Sequence, residues 1–291
     1  MKYFWQSIRT RSYWKYALLS VDGVKTFFAV LGAVWLLFEM MDFFKVFNST
    51  TLPSYSFIIL IFISILIVII TRPPISRIIY KHSSQDLQIE VRIGDLFAIK
   101  GQKVISTNTT FDTDIANGVI AANSLQGQFT NKYYPQQIQV LDQKLDQDLA
   151  NIPSIHYQKV SGKDKKYPMG TTVRIDIASE IFYLLAMSDL NVNNTAQTTL
   201  ENVLKSTEEL WEFIIAKGEN EPIVLPLIGT GRGRITTNRK RLIARIAQSF
   251  TKASEQHIFS SKLIIVIHPT DAENFNINLF EVKDLLNHYL P

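Results

Sequence analysis

Apolar positions divide the chain into two unlike parts. Phe57–Ile70 reads FIILIFISILIVII without a charge. Taken back to Leu52, the run reaches the roughly 20 residues that span a hydrocarbon core. Its β-branched residues would weaken a helix in water. In lipid the backbone must satisfy its polar groups within the segment, which favours a helix. An earlier run, Val24–Phe44, contains TFFAVLGAVWLLF, with Lys25 at its start and Glu39 and Asp42 near its end. Acids cost less near the membrane interface than at its centre. The pattern predicts two N-terminal transmembrane helices, a hairpin over residues 24–71 with spans at about 24–44 and 52–71. A buried core helix is the competing reading, stronger for Val24–Phe44 than for the run that is apolar all round. A cleaved signal peptide fits poorly: the stretch before Val24 is long and amphipathic, and no small-residue cleavage site follows a short apolar core.

From about Leu87 the period changes. IEVRI (Ile89–Ile93), KVISTN (Lys103–Asn108), TTVRIDIA (Thr171–Ala178), PIVLPLI (Pro222–Ile228) and KLIIVIH (Lys262–His268) read as strands. The last two are near-continuous apolar runs, as expected for strands covered on both faces. Between them, Thr195–Lys217 carries Leu200, Val203, Leu204, Trp211, Ile214 and Ile215 as one stripe at helical spacing. Asn238 is placed to cap a helix running to about Lys252, and Leu279–Leu290 closes the chain as another. Asn123–Tyr157, rich in Gln and Asp, has no clear period; parts of it are compatible with helix. The alternation predicts an α/β domain over residues 87–291, a mixed, largely parallel sheet flanked by helices. Residues 1–23 are then an amphipathic cytoplasmic segment and residues 72–86 a linker.

Composition sharpens this division. The 291 residues hold 30 Lys and Arg against 26 Asp and Glu, and no Cys. There is thus no disulfide framework, Cys-ligated zinc or thiol nucleophile. Residues 1–86 hold nine Lys/Arg and four Asp/Glu, whereas residues 87–291 hold 21 and 22. The basic excess belongs to the N-terminal part, so bulk charge gives no nucleic-acid footprint on the folded domain. Lys2, Arg9, Arg11, Lys15 and Lys25 precede the first span, Lys45 alone lies between the spans, and Arg72, Arg77 and Lys81 follow the second. The positive-inside rule puts both termini in the cytoplasm. Tyr3, Phe4, Trp5, Tyr13 and Trp14 suit an interfacial belt, and Arg72-Pro73-Pro74 stops the second helix.

The candidate chemistry lies in one turn. The apolar strand at Pro222–Ile228 runs straight into Gly229-Thr230-Gly231-Arg232-Gly233-Arg234, and a helix follows. Glycines allow close backbone approach, successive N–H groups can cradle a phosphate, and a helix N-terminus adds a favourable dipole. Arg232 or Arg234 can add charge-assisted bonds. The spacing is neither the dinucleotide fingerprint nor the P-loop; a tight strand–helix turn would also use these glycines. The five His residues are scattered, with no metal-ligand spacing, and there is no nucleophile elbow. No catalytic residue, metal or resident cofactor is expected. His268, ending a core strand, reads as structural.

These pieces together resemble one family. Ile93-Gly94-Asp95-Leu96 after a strand looks like the opening of a macro domain, and the Gly229–Gly233 turn is similar to its phosphate-binding loop. The resemblance covers roughly Leu87–Pro291 in the right order. The first loop departs from the usual Asn- and Gly-rich pattern. Its Phe111-Asp112-Thr113 and Ser124-Leu125-Gln126-Gly127-Gln128-Phe129 resemble the macro-like branch found behind two transmembrane helices in the ThsA effectors of type II Thoeris antiphage defence.

That resemblance implies a function. Macro domains bind ADP-ribose and its derivatives. In these systems a TIR-domain protein consumes NAD to make an ADP-ribose-type signal, understood in type II to be a histidine conjugate. The signal acts as an activating ligand, driving homo-oligomerisation and damage to the inner membrane. Residue by residue, Asp95 matches the carboxylate that accepts from the adenine amino group and Leu96 its neighbour. Gly229, Thr230, Gly231, Arg232 and Gly233 match the diphosphate loop, with Arg234 beside it. Asn108 corresponds loosely to the Asn near the distal ribose. Asp112, Ser124 and Gly127 are ligand candidates by position only. Asp95 could instead cap a turn, and Asp112 could equally organise its loop. The alternative function is a membrane-tethered ADP-ribosyl hydrolase.

Overall fold

The computed structural model describes residues 5, 7–46, 53, 55–83, 85–228, 237–255 and 257–290. It divides into two compact units, Met1–Ile75 and Ser76–Pro291. In the first, a helical turn Arg11–Trp14 continues as π-helical Lys15–Leu19 and then as helix α1, Val21–Phe43. Ser20 caps α1 by accepting from Gly23 N–H. Helix α2, Ser56–Thr71, packs against α1 through Leu60, Ser64 and Val68, one face at a spacing of four. Arg72 closes the far end. Its guanidinium donates to Ser20 Oγ at 3.2 Å and lies over the Tyr16 ring, while its carbonyl accepts from the Tyr13 hydroxyl. The start of α1 therefore lies beside the end of α2, which makes the pair an antiparallel hairpin.

Helix α1 is long and apolar enough to cross a membrane by length and composition. Its large side chains, Phe28, Trp35, Leu37 and Phe43 among them, are exposed, so it is not the covered core helix of the competing reading. At 16 residues, α2 is shorter than the second span expected from the sequence.

In the second unit the strands are β1 Arg77–Lys81, β2 Gln88–Ile93, β3 Gln102–Asn108, β4 Thr172–Ile177, β5 Glu180–Leu190, β6 Ile223–Pro226 and β7 Lys262–Ile267. They lie in the order β1-β2-β7-β6-β3-β5-β4. The five central strands run parallel and the two edge strands antiparallel, as a mixed, largely parallel sheet. The expectation of a linker over residues 72–86 is corrected here: Arg77–Lys81 is the edge strand, pairing in register with Gln88–Arg92. A second correction is the long strand β5, inside the sheet between β3 and β4 and buried from Phe182 to Met187.

Strand side chains alternate between two covered faces. On one, Ile105, Phe182, Leu184, Val224, Ile264 and Val266 meet helices α3 (Leu125–Tyr133) and α4 (Ile138–Leu149) through Phe129, Leu141 and Leu145. On the other lie α5 (Leu200–Lys217) and α6 (Arg239–Ala253), where Trp211, Phe250 and Phe259 rings pack at 5.3–6.0 Å. Thr199 and Asn238 cap these helices by accepting from Asn202 and Lys240 N–H. The short α7 (Pro269–Asn274) and α8 (Leu279–Tyr289) complete the unit.

Tyr183 of β5 donates to buried Gln102 Oε1 at 2.5 Å, and Gln102 Nε2 donates to the Glu219 and Glu221 carbonyls. Burial pushes the Tyr183 phenol up to about 12. Unfolded tyrosine titrates near 10, so the unfolded state releases its proton first as pH rises. The stabilisation from neutral Tyr183 is full below about pH 10 and lost as pH climbs through 12. Melting curves should show that alkaline loss, and Tyr183→Phe should reduce it. Tyr133, Tyr134 and Tyr167 are among the tyrosines also shifted upward by burial, and they add to it.

Candidate functional site

The parallel strands β2, β7, β6, β3 and β5 all end on the same side of the sheet, where open α/β sheets bind ligands. A cavity of about 700 Å³ lies along those ends, well within the range of ligand sites. A second cavity, about 620 Å³, lies by the start of β2, is lined by His82, Glu208, Arg245 and Glu255, and holds none of the sequence's candidates.

At one end of the main cleft β2 gives way to Gly94-Asp95-Leu96, all three lining it. Asp95 Oδ1 accepts from Phe97 N–H at 3.0 Å and caps the 3-10 turn Leu96–Ala98. The carboxylate is exposed and keeps its second oxygen for another donor. His268, after β7, also lines the cleft. Its Nδ1 accepts from Thr270 N–H at 3.4 Å, which puts the proton of the neutral ring on Nε2. Asp271 is a second carboxylate here.

In the middle, β6 leaves the sheet through Leu227 and Ile228, both lining the cleft. Gly229, Thr230, Gly231, Arg232, Gly233 and Arg234 come next in the chain and lie outside the described residues.

At the other end stands Asn108, on a register shift between Thr107 and Asn108 where β3 pairs with β5. Such an irregularity re-aims a side chain. Asn108 Oδ1 accepts from Thr110 N–H and Asp112 N–H, which fixes the amide and leaves Nδ2 buried without a partner. Three strand spacings separate β2 from β3, about 14 Å. Among the described residues, the walls at this end are Ser106, Thr107, Ser188, Asn194 and Thr198, none of them charged.

Of the first-loop candidates, Ser124 lines the cleft and caps α3 by accepting from Gly127 N–H. Gly127 is not a lining residue; its Cα faces the Ala121 carbonyl so closely that a Cβ would lie 2.1 Å from the oxygen. Asp112 is not brought to the cleft either. It is buried against Lys159, whose Nζ lies 2.9 Å from both carboxylate oxygens, and it accepts from Lys163 N–H and the Thr110 hydroxyl. Of the two sequence readings of Asp112, the loop-organising one describes this geometry. Sequence reasoning missed Ser188, Asn194 and Thr198, which reach the cleft only through the unrecognised strand β5 and its hairpin. It also set His268 aside as structural.

A family model described as Thoeris protein ThsA, macro domain, matches residues 89–268. The chain is similar to the Thoeris protein ThsA of Bacillus amyloliquefaciens (strain Y2), 26% identical over 208 residues, covering 68% of this chain and 67% of that protein. Solved structures that resemble it include a macrodomain of Oceanobacillus iheyensis with ADP, 12% identical with a TM-score of 0.49, covering 73% of this chain and 96% of the other. The same macrodomain with MES bound is 13% identical with a TM-score of 0.47, covering 73% and 99%.

Proposed function

The chain belongs to the Thoeris ThsA macro-domain family, and from that premise we propose that it is a membrane effector switched on by an ADP-ribose-derived signal, in form a histidine conjugate. The observation that carries this reading is the order of groups along the cleft. An exposed carboxylate at Asp95, the exit of β6 towards the glycines that follow it in sequence, and the unbonded amide nitrogen of Asn108 follow one another in the order of base, diphosphate and sugar. Adenine would donate its amino proton to Asp95 beside Leu96, and the diphosphate would take the N–H groups of Gly229–Gly233. The signal would come from a TIR-domain protein that need form no stable complex with this one. The competing hydrolase reading draws on Asn108 and Asp112; the oxygens of Asp112 are engaged by Lys159 and Thr110.

Helices α1 and α2 would be the two spans of an inner-membrane protein with both ends in the cytoplasm, as the Lys/Arg distribution favours. Ligand binding can drive assembly only through a higher affinity for the assembled state. Assembly would then gather the exposed apolar helices and the acids Glu39 and Asp42, and membrane damage would follow.

Calorimetry with ADP-ribose on the full chain in lipid nanodiscs tests the reading. Wild type should bind. Asp95→Ser, which keeps a turn cap but removes the second oxygen, should weaken binding about tenfold, the worth of one hydrogen bond to a charged group. No heat from wild type, or undiminished affinity in Asp95→Ser, would refute the assignment of the base end.

A further inference from the structure

At the end of the cleft farthest from Asp95, polar atoms stand buried and unbonded. Asn108 Nδ2 and Thr107 Oγ1 are two of them; the third belongs to Asn194. All three residues line the cleft. Asn194 sits in the turn between β5 and Ala196–Gln197, a hairpin in which Asn191 Oδ1 accepts from Asn193 and Thr195 N–H. Its φ of +57° is a left-handed conformation that Asn tolerates better than most residues. One end of its amide bonds Ser161 Oγ at 2.8 Å, and the other has no partner. Ser161 is itself held, since its carbonyl accepts from Lys159 Nζ at 2.8 Å and Lys159 is locked to Asp112. The amide is therefore fixed by two loops, with Oδ1 unbonded in a residue that lines the cleft. A buried polar group without a partner carries a desolvation cost that a bound ligand would remove.

We propose that Asn194 is a specificity-determining residue. With Asn108 it reads the group beyond the diphosphate, one that offers a hydrogen-bond acceptor and a donor side by side, as a sugar diol does. This rests on the nucleotide-diphosphate reading of the cleft. Asn108 Nδ2 gives a proton to the ligand's acceptor, and the free end of the Asn194 amide takes the complementary partner. The described walls there, uncharged, suit a neutral polar group. Strand β5 carries this residue into place, so the hairpin after it sets which distal group is accepted.

The test compares two ligands that differ only in the distal sugar. ADP and ADP-ribose are titrated calorimetrically into the full chain in nanodiscs, as wild type and as Asn194→Gly, which removes the amide and suits the positive φ. The expected result is about a tenfold loss for ADP-ribose and no more than about a twofold change for ADP, as for one lost hydrogen bond at the distal end. An equal loss for both ligands, or no loss for either, overturns the proposal while leaving the cleft assignment standing. If wild type binds neither ligand, the cleft assignment falls and this proposal with it. Should Asn194→Gly melt early, both titrations are repeated well below its melting temperature and are expected to show the same selective loss; an equal change for both ligands there also overturns the proposal.

Discussion

Asp112→Ala is expected to lower the unfolding free energy by about 3–5 kcal/mol, the cost of removing one partner from a buried ion pair. Asp112 and Lys159 side chains are each 1% exposed, so water cannot replace the missing partner. The substitution would strand a buried ammonium together with the Lys163 N–H. Gly162 shows how closely the loop wraps the pair. It has φ +92°, and a Cβ there would lie 2.2 Å from Asp112 Oδ1 and 2.4 Å from Lys159 Nζ. Urea unfolding of the detergent-solubilised chain measures the effect. Lys159→Met should cost a similar amount, and Asp112→Leu with Lys159→Met should cost much less than the two losses added, since apolar replacement of both partners leaves no uncompensated charge. A loss below about 1 kcal/mol for Asp112→Ala, typical of exposed pairs, would contradict the buried-clamp account.

The same clamp explains why the first loop was only half readable from sequence. Asp112 stood between two roles there because a carboxylate in a loop looks alike whether it meets a ligand or a lysine. What decides is Lys159, 47 residues along the chain, and no local pattern joins the two. Where an element's cause is local, the sequence showed it. Asn238 caps α6 as expected, and the apolar run at Lys262–His268 is strand β7, one residue shorter. The fold class followed from such elements. Strand β5 was missed because EIFYLLAMSDL mixes Leu, Ala and Met with aromatics and does not alternate, being covered on both faces. Its hairpin with β4 turns on Ala178-Ser179, with Ala178 at φ +53°, where a two-residue turn is ordinarily signalled by Asn-Gly or Asp-Gly. With β5 unseen, the residues it delivers to the cleft were unseen as well. Edge strand β1 was hidden differently: five residues shortly after a proline pair read as tether, and only the neighbouring β2 makes them a strand.

Gly127→Ala supplies the other large effect, and its sign is diagnostic. Gly127 lies in the first turn of α3, where helix propensity alone would have alanine stabilise by about 1 kcal/mol. The expected result is the opposite, a loss of about 3 kcal/mol, at the upper end of overpacking costs. The added methyl would meet the Ala121 carbonyl oxygen at 2.1 Å and Ala122 Cα at 2.9 Å, backbone atoms that cannot swing aside as a side chain could. Relief requires α3 and residues 119–124 to part. Val119, Ile120, Ala121, Asn123 and Ser124 all line the cleft, so ADP-ribose affinity should fall along with stability. Unfolding and calorimetry on one preparation separate the two roles open to this glycine. Loss of both places Gly127 in the packing that shapes the cleft wall. Loss of affinity at unchanged stability would instead put its backbone against the ligand, as the family resemblance alone suggests.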